Sequence, residues 1–233
     1  MNKSITVYLL SYNEKFLLPQ INKWWRDRFN KVNFVLYDND SNDGTPKMAT
    51  ELGWKVFTFK TEGMSDYVQM DIKNKCWKNC ETKWAWISDF DEVPLFTQKE
   101  LDKLDPKYSA VRMNGYEFID TAYTIEEAQY AIQTDGYSKM TLVQPSKLIE
   151  TNYGAGAHKC NPVFKEGELG EKILDLGHMK WFNPSHALNR AFLLGARQSE
   201  DNKKRNWSFH FALPLEEHLN YYKTHFANRI KVR

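Results

Sequence analysis

The sequence predicts an α/β fold: a mainly parallel central sheet flanked by helices, with a less regular second half. Three observations predict it. Strand-like apolar runs alternate with helical patterns through residues 1–95, as in a parallel sheet covered on both faces. Polar motifs follow the first, second and fourth runs, "SYNE", "YDNDSNDGT" and "SDFDE", where such sheets bind ligands. At 233 residues with 15% aromatics, the chain can also bury a large core.

The elements follow in order. Residues 5–10 are a buried strand. A helical pattern opens after Asn13 and Glu14, with Phe16, Leu17, Ile21, Trp24 and Trp25 on its apolar face. Residues 32–37, "VNFVLY", form the second strand, and the polar turn after it delivers Thr45-Pro46 as a helix start. Residues 54–59 form the third strand. Ser65 caps a helix running to about Cys80 with Tyr67, Met70, Trp77 and Cys80 on one side. "KWAWISD" is the fourth strand. In the second half, "YSAVRMNGYEFID", "SKMTLVQPSKLIE" and "KILDLGHMKW" read as strands, and "ETNYGAGAHKCNP" as a glycine-rich loop. Helices are expected over residues 185–197 and 214–226, joined by an exposed charged linker, "RQSEDNKKRN".

Composition narrows the function classes. A net charge of +2 argues against a dedicated nucleic-acid binder, which would carry a basic stripe. Cys76, Cys80 and Cys160 follow no framework spacing and read as reduced packing residues in a cytoplasmic setting. No apolar stretch is long enough to span a bilayer, and residues 5–10 lack a signal peptide's cleavage region. The C-terminal "HFANRIKVR" has no evident stop, as in a chain cut from a longer one.

The acids of "SDFDE" raise the sharpest question, because like charges this close repel. A hard divalent cation, Mg²⁺ or Mn²⁺, would hold them. In an extended segment residues i and i+2 face one way, so Asp89 and Asp91 can reach one ion while Phe90 packs inward and Glu92 points elsewhere. A helix cap or a solvated loop tip would also explain a lone D-x-D. The strand before it and the two other rim motifs favour function.

"YNE" after the first strand, "DNDSNDGT" after the second and "WISDFDE" at the end of the fourth resemble the family 2-type glycosyltransferases of the GT-A fold. The resemblance covers about the first hundred residues, and "LGHMKWFNPSHALNR" extends it to a later histidine segment. It implies one domain over residues 1–233, with a nucleotide-binding half (1–95) and an acceptor-binding half (96–233). It implies transfer of a sugar from a nucleoside-diphosphate sugar, UDP-linked by expectation, to a glycan or other hydroxyl acceptor, metal-dependent and inverting.

Carried over by position, Asp38 would bond the nucleotide base, with Asn39 standing where relatives have a second aspartate. Ser11, Tyr12, Asn13 and Glu14 match the nucleotide-side loop, and Asp43 and Thr45 are expected as caps. Asp89 would meet the sugar or ribose and Asp91 the metal, with Phe90 between them; His178 would join the metal or diphosphate. Lys180 would neutralise phosphate charge. Lys73 is expected on a solvated helix face within reach of a phosphate. His158 reads as an exposed loop residue or an acceptor-side contact, and Trp181 and Phe182 as core packing or a sugar platform. The carboxylate that removes the acceptor proton is not marked: Glu117, Asp120 and Glu150 are candidates. A sugar-nucleotide pyrophosphorylase would need a glycine-rich basic loop, which "LLSYNEK" lacks. The alternative from another class is an inactive carbohydrate-binding or assembly module.

Overall fold

A computed structural model describes residues 5–232 of the chain. The elements are β1 (Ile5–Ser11), α1 (Leu18–Arg28), β2 (Val32–Asp38), α2 (Thr45–Glu51), β3 (Lys55–Thr58), α3 (Asp66–Lys75), β4 (Trp84–Asp89), β5 (Glu92–Pro94), α4 (Gln98–Leu101), β6 (Tyr108–Ile119), β7 (Tyr130–Gln133), β8 (Met140–Val143), β9 (Leu148–Glu150), β10 (Val163–Phe164), β11 (Glu168–Trp181), α5 (Pro184–Gly195), α6 (Glu200–Arg205), α7 (Leu215–Ala227) and β12 (Ile230–Lys231).

The first four long strands pair in parallel in the order β3-β2-β1-β4. Beyond β4 the sheet continues through antiparallel β8, β6, β7 and β12. The long strand β11 lies parallel to β6 and antiparallel to β5. Both halves of the chain therefore share one sheet, and the α/β class expected from the sequence is the one observed.

The register places Ser11, Asp38 and Asp89 within one residue of one another: Ser11 pairs with Asp38, and Leu10 with Asp89. The three polar motifs thus reach one rim. Beneath it, the main core holds Trp24, Trp25, Trp86 and Phe90, all without exposed surface. Trp24 donates its indole N–H to the Pro94 carbonyl at 2.9 Å, so even this buried ring is satisfied.

Four local expectations are corrected. Phe16 and Tyr67 are exposed at 53% and 56%, outside the apolar faces assigned to them. Helix α3 stops at Lys75; from there Lys78 N–H bonds Lys75 and Cys80 N–H bonds Trp77, tightening the chain into turns. "SKMTLVQPSKLIE" is two short strands, broken where Pro145 has no N–H to donate. The charged linker is a helix, α6, capped by Ser199 and anchored by Asn202, which is fully buried. Its sequence looked like a solvated tract because its buried residues, Gln198, Ser199 and Asn202, are polar and stand among charged ones.

Candidate functional site

The site begins with the two loops after β1 and β2, which brace each other. Asn13 adopts a left-handed conformation (φ 55°), and its amide exchanges hydrogen bonds with Asn42. Asp43 accepts from the Thr45 backbone and hydroxyl and from Lys15 N–H, bracing the turn; the N-cap of α2 is Gly44, so neither Asp43 nor Thr45 is the cap expected of it. Asp38 is fully buried, and its carboxylate accepts from Ser11 Oγ at 3.0 Å, Ser41 N–H at 2.9 Å and Ser41 Oγ at 2.6 Å. Its hydrogen bonds thus tie the turn to the end of β1. Asn39 likewise bonds Thr61 and accepts from Arg197 at 2.9 Å.

A cleft opens over this rim. Ser11, Tyr12, Asn39, Phe59, Met64 and Asp66 line it, together with Asp89, Asp91, Lys139, His158, His178 and Lys180. Arg190 and Arg197 also line it, as do Ser208, His210 and Phe211 from the segment after α6. That segment is tied down: Asp66 accepts from Ser208 Oγ at 2.7 Å and from Asn202 Nδ2 at 3.2 Å. Arg197 lies 3.3 Å over the Tyr12 ring. The Lys180 ammonium lies 4.7 Å over Phe211.

The acids of "SDFDE" separate into two groups. Asp89 meets Lys73 at 2.7 Å and Lys139 at 3.5 Å; Glu92 meets Lys139 at 2.5 Å. Lys73 and Lys139 are 2% and 3% exposed, so both lysines are neutralised out of water, while Asp89 keeps part of its surface open. Burial alone would raise the Asp89 carboxyl; the two lysines outweigh it and hold it well below the usual range. Lys73 is therefore no solvated helix residue. It lies on the inner face of α3, seven residues after Asp66, and the positive partner that the acids require is in part a pair of lysines.

Asp91 stands apart from the lysines. Its carboxylate is 3.5 Å from His178 Nε2 and 3.7 Å from Arg190 Nε. His178 Nδ1 is 3.5 Å from Glu117 Oε1, a long approach, and its ring stacks on Tyr137 with centroids 4.0 Å apart. Burial works against a charged imidazole, but Asp91 and Glu117 outweigh it and raise His178 to about 9. Arg190 reaches from α5 to Glu14, which is buried beside β1.

Several expected residues lie elsewhere. Phe90 and Trp181 are core residues, at 0% and 1% exposure; Trp181 packs on Tyr221 and Tyr222. Glu117 is buried and accepts from Tyr221 OH. Asp120 accepts from the backbone N–H groups of Thr121, Gln129 and Tyr130, organising a loop. Glu150 pairs with Lys78. None of these carboxylates lines the cleft. Conversely, Lys139, Arg190, Arg197 and Asp66 line it without having been singled out. A lone lysine before a short strand, or an arginine within a helix, carries no local signal of burial in a site.

The donors suit a divalent cation in part. Asp91 and the Nε2 edge of His178 converge, and Glu117 on the other ring nitrogen is the support that a metal-bound histidine commonly has. Asp89 is committed to lysines, and among the described residues no cluster of three His, Cys, Asp or Glu is gathered to enclose a metal. Two protein donors are what Mg²⁺ or Mn²⁺ commonly takes when water and substrate phosphates complete its shell.

No protein-family model matches the chain, and no curated protein matches it. Similar solved structures include residues 1–349 of S. aureus TarS, 12% identical over 91% of this chain and 71% of that one, with a TM-score of 0.44. A mannosyltransferase from Pyrobaculum calidifontis, in complex with GDP-Man and Mn²⁺, is 13% identical over 96% of this chain and 74% of that one, with a TM-score of 0.43. Glucosyl-3-phosphoglycerate synthase from Mycobacterium tuberculosis, with Mn²⁺, UDP and glucosyl-3-phosphoglycerate, is 13% identical over 49% and 44% of the two chains, with a TM-score of 0.35. These are distant likenesses.

Proposed function

We propose that the chain is a glycosyltransferase that moves a sugar from a nucleoside-diphosphate sugar to an acceptor hydroxyl. The observation that carries this reading is the convergence of Asp91 and His178 beside Lys180, Arg190 and Arg197, at the carboxyl rim of a parallel sheet. Fixed cations around a carboxylate–imidazole pair suit a diphosphate that gains charge as it leaves. The internal pairs of Asp89 and Glu92 with Lys73 and Lys139 keep those two acids off the cleft cations, while Arg190 is held between Glu14 and Asp91.

The nucleoside would lie along Ser11, Tyr12, Asn39, Phe59 and Met64, with Arg197 fixed by Asn39 and Tyr12. Its diphosphate would run toward Lys180 and Arg190. The acceptor would enter from the side of residues 154–158 and 208–211. Asp91 and His178 would hold Mn²⁺ or Mg²⁺, which when bound supplies Lewis-acid stabilisation of the departing diphosphate. Inversion at the anomeric carbon and a UDP-linked hexose are the expected details.

The test is titration of UDP and GDP with and without Mn²⁺, alongside nucleotide release from a panel of nucleotide sugars. Tight binding that depends on Mn²⁺, with turnover, supports the reading. Absence of binding by either nucleotide under both conditions ends it. Binding without turnover on any donor or acceptor favours the inactive module.

A further inference from the structure

Sugar transfer to a hydroxyl requires a base, and the carboxylates expected to serve are turned away from the cleft. Glu117 is closed in by Tyr221 and His178, Asp120 by three backbone N–H groups, and Glu150 by Lys78. Of the acids that do line the cleft, Asp66 accepts from Ser208 and Asn202, Asp89 faces two lysines, and Asp91 faces His178.

His158 is differently placed. Its Nδ1 lies 2.6 Å from the carbonyl oxygen of Gly136. A carbonyl oxygen only accepts, so Nδ1 carries a proton, and in the neutral ring the lone pair is then on Nε2. Gly156, at φ +65°, lies under the ring; a Cβ built there would stand 2.7 Å from His158 Cδ2 and 2.9 Å from Nε2. The missing side chain leaves the Nε2 edge uncovered, and both residues line the cleft.

The mounting is rigid on both sides. Asn74 bonds the Tyr153 carbonyl and N–H and Thr151, and Tyr153 OH bonds the Met140 carbonyl at 2.6 Å. The Gly136 loop is seated on β6, where a Cβ on Gly115 would stand 2.3 Å from the Tyr137 carbonyl carbon. Tyr137 in turn stacks on His178. The residue is exposed overall, but its ring is drawn in against the Gly136 carbonyl; the water it loses there, and then the charge of Lys139, move the imidazole below its usual value, with Asp89 and Lys73 the other charged groups acting on it. Like a carboxylate, it is unprotonated at neutral pH.

We infer that His158 is the general base of the reaction, taking the acceptor proton on Nε2 while the Gly136 carbonyl holds Nδ1–H. This rests on the sugar-transfer reading. The acceptor oxygen forms the new bond to the anomeric carbon as its O–H proton passes to Nε2. The bond from that carbon to the diphosphate oxygen breaks, its electron pair leaving with the nucleoside diphosphate. The imidazolium then gives its proton to solvent.

The experiment compares the parent chain with His158→Ala, His158→Gln and His158→Gly. UDP and GDP binding is titrated, and nucleoside diphosphate release is measured from UDP-glucose, UDP-galactose, UDP-N-acetylglucosamine and GDP-mannose, in water and with simple sugars as acceptors. The expected result is nucleotide affinity within about twofold of the parent and turnover lowered about 100- to 10,000-fold. Added imidazole should restore part of the turnover of His158→Gly, which a merely structural histidine would not allow. Turnover within threefold of the parent, affinity lost in step with turnover, or no imidazole rescue overturns the base. A parent that binds nucleotide but turns over no donor also overturns it, leaving the binding reading in place. A parent that binds neither nucleotide removes both.

Discussion

Lys73 Nζ lies 2.7 Å from Asp89 Oδ1, and the lysine is 2% exposed. A helix that crosses behind the sheet thus delivers a buried cation to the first acid of the D-x-D segment. Lys73→Met should destabilise the fold by about 2 kcal/mol. That is less than the 3–5 kcal/mol typical of breaking a buried pair, since Asp89 is partly exposed and keeps Lys139. Chemical denaturation of the two proteins checks it; an unchanged midpoint would mean that the pair contributes nothing net.

Asp91 and Glu92 should part company on mutation. Asp91→Asn removes the carboxylate that faces His178, and Mn²⁺-dependent UDP affinity should fall more than tenfold. Glu92→Gln breaks the buried contact with Lys139 and should lower stability by about 2–4 kcal/mol. Paired melting and titration data on both variants separate the two roles. Equal effects of Asp91→Asn on melting and on affinity would return Asp91 to a structural role.

Asp38→Ala should now be a stability mutation. The family resemblance implied that Asp38 bonds the nucleotide base. The carboxylate instead accepts from Ser11 and from two groups of Ser41, and its loss leaves buried donors unpaired at about 2–4 kcal/mol. A melting temperature within a degree of the parent would restore the base-binding role.

The cleft histidines set an acid limit. His210 is driven down to about 3 by burial, then by Lys180 and His178, and His158 to about 4. Both folded values lie below that of an unfolded histidine, about 6.5, so the unfolded chain binds more protons between them. Their contribution is present above about pH 6.5 and is lost as pH falls toward 4. Melting temperatures from pH 7.5 to 4.5 should drop less steeply for His210→Phe than for the parent. Identical slopes would show that His210 is free to protonate in the folded chain.

The amino-acid order alone determined the strands and most helices, because apolar periodicity reports burial within a few neighbouring residues. Residues 5–10, 32–37 and the run through Trp86 had to be strands in any fold that buried them. The rim position of the three polar motifs followed from the alternation of strand and helix. That a histidine and a lysine at positions 178 and 180 would join the cleft also came from the local pattern and its family resemblance. Only the tertiary structure decided which charges meet. Lys73 finds Asp89 across 16 residues, Lys139 finds Glu92 across 47, and Arg197 finds Asn39 across 158. These pairings are set by how α3, β8 and the chain after α5 pack on the rim, which no short-range pattern encodes. The same packing turned Asp38, Glu117 and Asp120 away from the roles their types suggested. A carboxylate's chemistry depends on which donors surround it, and in this chain most of those donors come from distant segments.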